Sequence, residues 1–291
     1  MLTPGKSSDP TDALGAWDIG GFSLELYGGG MSSTTWRVVS DAGVFVAKTG
    51  DATPQLERGL AATAEVAAAG VPAGAPVATR DGALTVPYGE GRLCLLEFVP
   101  GRPIDDTKRS EARAWGTTLA RVHRALAGRS DLADGMPCLP LIDLDAPHLD
   151  LEPWIRPAIT PVVRAVQSYR GTFGVLHGDP AVESFLFNDD TGRVGIIDFG
   201  ASWWGPLVYD LASLRMYANP AMFDVALTGY ADAAPLPEAE LSALDLFLRF
   251  RWCVQADYFS WRIANSVLTG LADATENLVG LNDARDALLS S

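Results

Sequence analysis

Two aspartates in the middle of the chain follow apolar stretches and are the first candidates for chemistry. Asp179 ends the segment VLHGD, and Asp198, nineteen residues later, lies within IIDFG. A charged side chain at the end of a β run costs free energy unless it is paired or binds a metal ion. Either aspartate alone could cap a turn through its side chain. Two of them in one short stretch indicate a shared function.

Lysine is rare in this chain, which draws attention to the few lysines present. Of 22 basic residues only Lys6, Lys48 and Lys108 are lysines. Lys48 ends the apolar run VFVAK, which follows the glycine-rich segment GGGMSS. A lysine at a sheet edge can simply extend its stem along the surface. Its scarcity here favours a functional role for Lys48 instead.

The composition is that of a folded protein with a negative charge. The 291 residues are 48% hydrophobic and 20% charged, and the net charge is −14. Such a charge repels phosphate backbones and anionic lipids, so we expect no nucleic acid or membrane partner and an attraction for cationic small molecules. The chain has no CxxC pair, no 18-residue apolar run and no signal-peptide pattern. We therefore expect a reducing, cytoplasmic location.

The pattern of apolar residues changes near residue 100 and predicts an α+β protein with two lobes. Residues 1–99 form the predicted N-lobe and residues 100–291 the predicted C-lobe, with PGRP (100–103) as a hinge between them. The N-lobe is predicted to contain strands at 22–27, 34–40, 44–49, 83–87 and 93–99 and a helix at 54–69. The C-lobe is predicted to contain helices at 110–126, 154–169, 206–217, 237–268 and 282–289 and a β excursion at 174–199.

Four segments make the chain resemble a known family. They are LHGDPAVESFLF, IIDFG, WGPLVYDLA and VFVAK, which occupy kinase-like positions and order. On these segments the chain resembles the aminoglycoside phosphotransferase and homoserine kinase-like family, whose members are small-molecule kinases. The resemblance covers nearly the whole chain. It implies a bilobal protein-kinase-like fold and an ATP- and Mg²⁺-dependent transfer of the γ-phosphoryl group to a hydroxyl.

The resemblance also implies roles for individual residues. Asp179 would orient or deprotonate the acceptor hydroxyl, Asp198 would hold Mg²⁺, and Lys48 would contact the nucleotide phosphates. A helix glutamate usually orients such a lysine. Glu57 and Glu65 are eight residues apart and lie near one helix face, so spacing alone does not choose between them. We favour Glu57, because its distance from the strand of Lys48 is about that expected.

Nucleotide recognition has a weaker signal in the sequence. Gly29, Gly30 and Ser32 of the glycine-rich segment could approach the phosphates, although a flexible hairpin loop would have the same composition. The resemblance implies that backbone groups between the lobes, at Glu97 and Val99, contact the adenine.

One position departs from the family pattern. Ser184 replaces the asparagine that is expected as the second metal ligand after HGD, and the adjacent Glu183 could supply a carboxylate instead. This departure motivates an alternative hypothesis, a catalytically impaired, pseudokinase-like binding protein.

The remaining candidates concern loop support and the acceptor. The resemblance implies that His177 supports the catalytic loop, and Asp210 is predicted to anchor that loop through backbone amides. The segment 247–263 carries Asp257 among aromatic residues, which would suit an amine-bearing acceptor but also a core helix. Trp203 and Trp204 are closer to the expected acceptor site. The predicted acceptor is a small polar, amine-bearing molecule such as an aminoglycoside, an aminosugar or an amino alcohol.

Overall fold

A computed structural model describes residues 9–31, 33–139 and 141–290 and gives an α+β architecture, as predicted. The strands are β1 (Phe22–Gly30), β2 (Ser33–Ser40), β3 (Gly43–Gly50), β4 (Thr85–Tyr88), β5 (Gly91–Glu97), β6 (Arg102–Pro103), β7 (Phe173–Leu176), β8 (Phe185–Asn188), β9 (Arg193–Ile196) and β10 (Trp203–Pro206). The helices are α1 (Thr11–Leu14), α2 (Pro54–Ala68), α3 (Arg109–Ala125), α4 (Ile155–Gln167), α5 (Val208–Tyr217), α6 (Phe223–Ala233), α7 (Glu238–Leu241), α8 (Leu244–Ala264) and α9 (Thr275–Leu289).

The first five strands form one antiparallel sheet in the order β1-β2-β3-β5-β4. Alternate residues of β2, such as Trp36 and Val38, are buried under the sheet, as the period of two requires. The strands predicted at 22–27, 34–40 and 44–49 are confirmed. The predicted turn at Gly28–Ser33 is wrong in its extent, because Gly29 and Gly30 continue β1 and pair with Thr34 and Ser33.

Helix α2 follows this sheet and confirms the helix predicted at 54–69. It begins with Pro54 in its first turn and is followed by Gly70, whose φ of +82° allows the chain to turn away. Gly59 lets α2 approach the segment after Asp198 closely. A Cβ atom at Gly59 would lie 2.6 Å from the carbonyl oxygen of Phe199. The helix is therefore fixed beside the IIDFG segment.

The second half of the chain is mostly helical, with β6-β8-β9 and β10-β7 as small sheets. Helices α3 and α6 lie against each other because Gly116 and Gly229 carry no side chain. A Cβ atom at either position would overlap the backbone of the other helix. Helices α4, α5 and α8 pack around a large apolar core that includes Phe247 and Phe250. None of the described helices is long and apolar enough to span a membrane.

Several predicted helix boundaries in this half are wrong. The helix predicted from Pro206 begins at Val208, because Trp203–Pro206 pairs with β7 as a strand. The helix predicted at 237–268 is divided into α7 and α8. The last helix begins at Thr275 rather than Asn282, and α6 was not predicted.

The segment between the predicted lobes is held by ionic contacts. Arg102 and Pro103 pair with β8, and the guanidinium of Arg102 donates two hydrogen bonds of 2.8 Å to Glu111. Glu111 is 3% exposed and also accepts from Lys108 and from the amide of Asp105. The bonds from Arg102, helped by these other donors, lower the pKa of Glu111 from about 4.5 to about 2 against the effect of burial. The boundary at residues 99 and 100 stays a prediction.

We expect Glu111→Gln to destabilise the protein by about 1–3 kcal/mol at pH 7, because an amide cannot balance the charge of Arg102. Since the folded pKa is lowered, the stabilisation is complete above pH 4.5 and is lost as the pH falls toward about 2. Urea unfolding at several pH values should therefore show a difference that shrinks on acidification. The exposed Glu90→Gln is the control, and equal stability of Glu111→Gln and wild type at pH 7 would contradict the prediction.

Candidate active site

An ion pair joins the first sheet to the IIDFG segment. Lys48 Nζ donates to Asp198 Oδ1 at 2.6 Å, although the two residues are 150 positions apart in sequence. Lys48 is on β3, and its side chain is 20% exposed, whereas that of Asp198 is 53% exposed. The structure thus brings together two of the three residues that the sequence singled out.

Asp198 has an unusual backbone conformation for a residue with a side chain. Its φ of +68° and ψ of +61° lie in the left-handed region, where the carboxylate also accepts from the Gly200 amide at 3.4 Å. Burial opposes the charge of Asp198, but Lys48, with smaller contributions from His177 and the Gly200 amide, holds the pKa of the carboxyl below its usual value. Gln55 of α2 donates to the carbonyl oxygens of Gly200 and Ser202 and so fixes the segment that follows.

Asp179 lies after β7, and one of its oxygen atoms is fully engaged. Its Oδ1 accepts from the Tyr217 hydroxyl at 2.5 Å and from Arg251 Nη2 at 2.9 Å. Burial raises the pKa of Tyr217, so the phenol stays protonated and can donate. The other oxygen, Oδ2, has no hydrogen-bond partner among the described residues, and the side chain is 45% exposed. Asp179 therefore presents one open carboxylate oxygen.

A fully buried aspartate holds the loop that carries Asp179. Asp210 accepts from the amides of His177 and Gly178 at 2.8 and 2.9 Å and lies 2.9 Å from Nε2 of His123. Asp210 thus anchors the loop through its backbone amides, as predicted from the sequence. The other ring nitrogen of His123, Nδ1, lies 2.8 Å from the Tyr230 hydroxyl, so both ring nitrogens have a polar partner.

His177 links the two aspartate segments. Its Nε2 lies 2.9 Å from the carbonyl oxygen of Ile197, the residue before Asp198. Gly178 has a φ of +88°, and a Cβ atom there would lie 2.0 Å from the carbonyl oxygen of Ala201. Only glycine allows this close approach. The VLHGD and IIDFG segments are therefore held as one unit.

The glutamates predicted to orient Lys48 are elsewhere. Glu57 is exposed, and within the described ranges it makes no side-chain hydrogen bond or ion pair. Glu65 pairs with Arg129. In this conformation Lys48 is held by Asp198, and its orientation by Glu57 stays a prediction.

The predicted metal ligands Asp198, Ser184 and Glu183 all offer oxygen donors. The carbonyl oxygen of Ser184 accepts from the amide of Ile197 at 2.9 Å, which places Ser184 beside Asp198. Ser184 is 7% exposed, and Glu183 is exposed. No group of three or more His, Cys, Asp or Glu side chains in the described part of the chain is arranged to hold a metal ion. Mg²⁺ is usually bound by one or two carboxylates with phosphates and water, so this donor set fits it.

The positions predicted to contact the nucleotide lie at the edges of the first sheet. Gly29 and Gly30 are at the end of β1, and Ser32 lies outside the described residues. Glu97 ends β5, and its amide donates to the carbonyl oxygen of Ala75. The amide of Val99 has no acceptor in the described part of the chain. Val99 is 7% exposed, and the contact of its backbone with an adenine ring stays a prediction.

A cavity of about 580 Å³ lies between α5, α6 and α8. It is lined by Arg215, Met216, Pro220, Phe223, Asp224, Leu248 and Trp252. Met216 and Trp252 are the sequence neighbours of Tyr217 and Arg251, whereas Tyr217, Arg251 and Asp179 themselves do not line the cavity. The carboxylate of Asp224 is exposed and has no side-chain partner among the described residues.

The other acceptor candidates from the sequence are less accessible. Asp257 lies 2.8 Å from His148, and burial raises its pKa although His148 opposes this. Trp203 is 2% exposed and packs against Tyr209, so it belongs to the core.

The fold and the Lys48–Asp198 pair define a small-molecule phosphotransferase with a protein-kinase-like fold. The profile of the phosphotransferase enzyme family matches residues 23–245, and the chain belongs to this family. It is 28% identical to a homoserine kinase of Rhodospirillum rubrum over 86% of this chain and 84% of that protein. It is 27% identical to a homoserine kinase of Azorhizobium caulinodans, again over 86% of this chain and 84% of that protein.

Solved structures support the fold. An amicoumacin kinase in complex with AMP-PNP, Ca²⁺ and Ami superimposes with a TM-score of 0.74 at 14% identity, and the match covers 97% of this chain and 93% of that chain. A microcompartment-associated aminopropanol kinase has a TM-score of 0.65 at 18% identity over 97% and 98% of the two chains. The predicted kinase-like fold is confirmed.

Sequence reasoning missed Tyr217 and Arg251. They lie 38 and 72 residues after Asp179, and their approach to it depends on how α5 and α8 pack. The sequence does contain an indication that Arg251 has a special role, because this arginine lies in the apolar and aromatic stretch FLRFRWCV. An arginine that is only 8% exposed there must have a polar partner.

We expect Asp210→Asn to lower stability by about 1–3 kcal/mol, because an amide nitrogen cannot accept from the loop amides or from His123. The melting temperature should fall by about 2–4 °C for each kcal/mol. Calorimetry can compare this variant with Asp283→Asn, which changes an exposed carboxylate without a partner in the described chain. Equal melting temperatures for the two variants would show that Asp210 is not an anchor.

Proposed function

We propose that the protein transfers the γ-phosphoryl group of ATP, with Mg²⁺, to a hydroxyl of a small polar, amine-bearing molecule in the cytoplasm. The convergence of Lys48 on Asp198 beside the loop of Asp179 carries this proposal. Phosphoryl transfer depends mainly on positioning and on neutralising charge, and these three residues supply a base, a metal ligand and a cation.

Asp179 acts on the acceptor. Its open Oδ2 accepts the hydrogen bond of the acceptor hydroxyl and takes its proton as the oxygen atom bonds to the γ-phosphorus. The bond between the γ-phosphorus and the bridging oxygen breaks, and ADP leaves. Tyr217 and Arg251 fix the carboxylate through Oδ1, so that Oδ2 keeps one direction.

Lys48 and Asp198 act on the nucleotide. Mg²⁺ would be held by Asp198 with Ser184 or Glu183 nearby, and it would neutralise charge on the phosphates. Lys48, which contacts Asp198 in the structure, would contact the phosphates of the bound nucleotide. Gly29, Gly30 and Ser32 approach the phosphates, and the backbone at Glu97 and Val99 contacts the base.

The cavity between α5, α6 and α8 is the proposed acceptor pocket, because Met216 and Trp252 in its lining are the sequence neighbours of Tyr217 and Arg251, which donate to Asp179. Phe223 and Trp252 provide aromatic faces, and Asp224 provides a carboxylate for an ammonium group. Homoserine, the substrate named for two relatives, and the aminopropanol named for a structural neighbour both carry an amine. We therefore propose an amino alcohol, a hydroxy amino acid or an aminosugar as the acceptor.

The second candidate function is a nucleotide or small-molecule binding protein without turnover. Two observations favour it: Ser184 stands where the family pattern has asparagine, and Glu57 is not paired with Lys48. Such a protein would be stabilised by ATP and Mg²⁺ without phosphorylating any acceptor.

We expect Asp179→Asn to lower turnover about 10²–10⁴-fold while nucleotide affinity changes little, because only the proton acceptor is removed. Asp198→Asn should abolish Mg²⁺-dependent nucleotide binding. Calorimetric titration with ATP or GTP and ADP release with homoserine, aminopropanol and aminoglycosides measure the two effects.

The exposed Asp190→Asn should behave as wild type in these assays. Nucleotide binding by the wild-type protein without ADP release for any acceptor would favour the binding protein. Full activity of Asp179→Asn would show that Asp179 is not the base.

We expect Asp224→Asn to raise the KM for an amine-bearing acceptor about fivefold to tenfold and to leave kcat nearly unchanged, because one charge-assisted contact is lost. The KM for a neutral hydroxyl analogue should not change. Asp232→Asn on the same helix is the control, since Asp232 pairs with Arg113 on the surface. Equal effects on charged and neutral acceptors would place the amine outside this cavity.

A further inference from the structure

Arg262, near the end of α8, is a buried cation that joins three separate segments. It is 1% exposed and donates from Nε to Asn277 Oδ1 at 2.9 Å and from Nη2 to the carbonyl oxygen of Thr269 at 2.6 Å. Its Nη1 donates to the Tyr258 hydroxyl at 3.0 Å and to the carbonyl oxygen of Met31 at 2.9 Å. None of these partners is charged, and no carboxylate in the described ranges pairs with Arg262.

The contact with Met31 connects distant parts of the fold. Met31 lies between β1 and β2, at the tip of the hairpin that contains Gly29 and Gly30, and is 231 residues before Arg262. Holding α8 against α9 needs only the bonds to Asn277 and Thr269. Burying a guanidinium without a counterion costs free energy of folding. The additional bond from Arg262 to the hairpin tip therefore suggests a role beyond holding α8 against α9.

Helix α8 carries a second buried arginine, which contacts the other end of the site. Arg251 donates to Asp179, and Arg262 follows it eleven residues later. Eleven residues are close to three helical turns, so both arginines point to the same side of α8, about 16 Å apart along its axis. One rigid helix therefore contacts both the loop of the proposed base and the tip of the glycine-rich hairpin.

We propose that Arg262 is a positioning residue that fixes the hairpin tip relative to Asp179. Through α8, it sets the distance between the backbone that covers the nucleotide phosphates and the carboxylate that receives the acceptor proton. The phosphate-covering role of the hairpin rests on the proposed function, whereas the physical restraint of the hairpin by Arg262 does not.

The test compares Arg262→Gln with Asn277→Ala, in the full chain. Both variants lose buried hydrogen bonds between α8 and its neighbours, but only Arg262→Gln loses the bond to Met31. Hydrogen exchange of the nucleotide-free protein should become about tenfold faster in the β1–β2 hairpin of Arg262→Gln, as expected for the loss of one charge-assisted bond. In Asn277→Ala the exchange of the hairpin should stay at the wild-type rate even where the melting temperature falls equally.

Kinetics separates positioning from a loss of stability. Arg262→Gln should raise the KM for the nucleotide about fivefold to tenfold, with little change in the KM for the acceptor. Asn277→Ala should change neither. If Arg262→Gln does not fold, Arg262→Lys keeps the charge and the stem but lacks the planar fork, and it should loosen the hairpin in the same assay.

Unchanged hairpin exchange in the arginine variants, or an equal increase in Asn277→Ala, would overturn the proposal. So would faster exchange in the hairpin without any change in the KM for the nucleotide. A wild-type protein that transfers phosphate to no acceptor would refute the proposed function instead, and the exchange comparison would still decide whether Arg262 restrains the hairpin.

Discussion

The geometry of the site depends on the buried carboxylate of Asp210. A charge with no exposure to solvent is tolerated only where hydrogen-bond donors satisfy it, and here the donors are His123 and the amides of His177 and Gly178. Those amides belong to the loop that ends at Asp179. Because the loop must satisfy Asp210, the direction in which Asp179 leaves the core is fixed before any ligand binds. The same loop holds the segment of Asp198 through His177, so one buried charge positions both aspartates.

Two elements from the first part of the chain, helix α2 and strand β3, contact the segment of Asp198, and the two contacts differ in strength. Helix α2 is locked against the backbone after Asp198, since Gly59 allows close contact and Gln55 adds two hydrogen bonds. The Lys48–Asp198 pair is short but partly exposed, so water screens it and a phosphate can compete for the ammonium group. The contact at α2 is therefore firm, whereas the contact at Lys48 can be exchanged for another anion. Helix α2 stays fixed beside the segment of Asp198, while the side chains of Lys48 and Asp198 remain accessible to a ligand.

The sequence predicted the parts of the site that are local, and it missed those that depend on packing. Asp179 and Asp198 follow short apolar strands and Lys48 lies near the end of β3, and such apolar runs can be recognised in the sequence without any tertiary information. Tyr217, Arg251 and Arg262 lie on helices, and only the way α5 and α8 pack decides which loops they reach. Helix α6 was missed for a related reason: Gly229 weakens its local signal, yet the position must be glycine because α3 passes close to it.

The charges near Asp179 bear on two roles of the proposed function, attraction of a cationic acceptor and contact with its hydroxyl. Arg251 and Tyr217 donate to Asp179, so much of its negative charge is already balanced and it attracts a cationic acceptor only weakly. The net charge of −14 acts over distance, but physiological salt screens it beyond about 8 Å. Under the proposed function, selection of an amine therefore needs a carboxylate without a partner, and Asp224 in the cavity between α5, α6 and α8 is such a carboxylate. Asp179 would then serve only the acceptor hydroxyl.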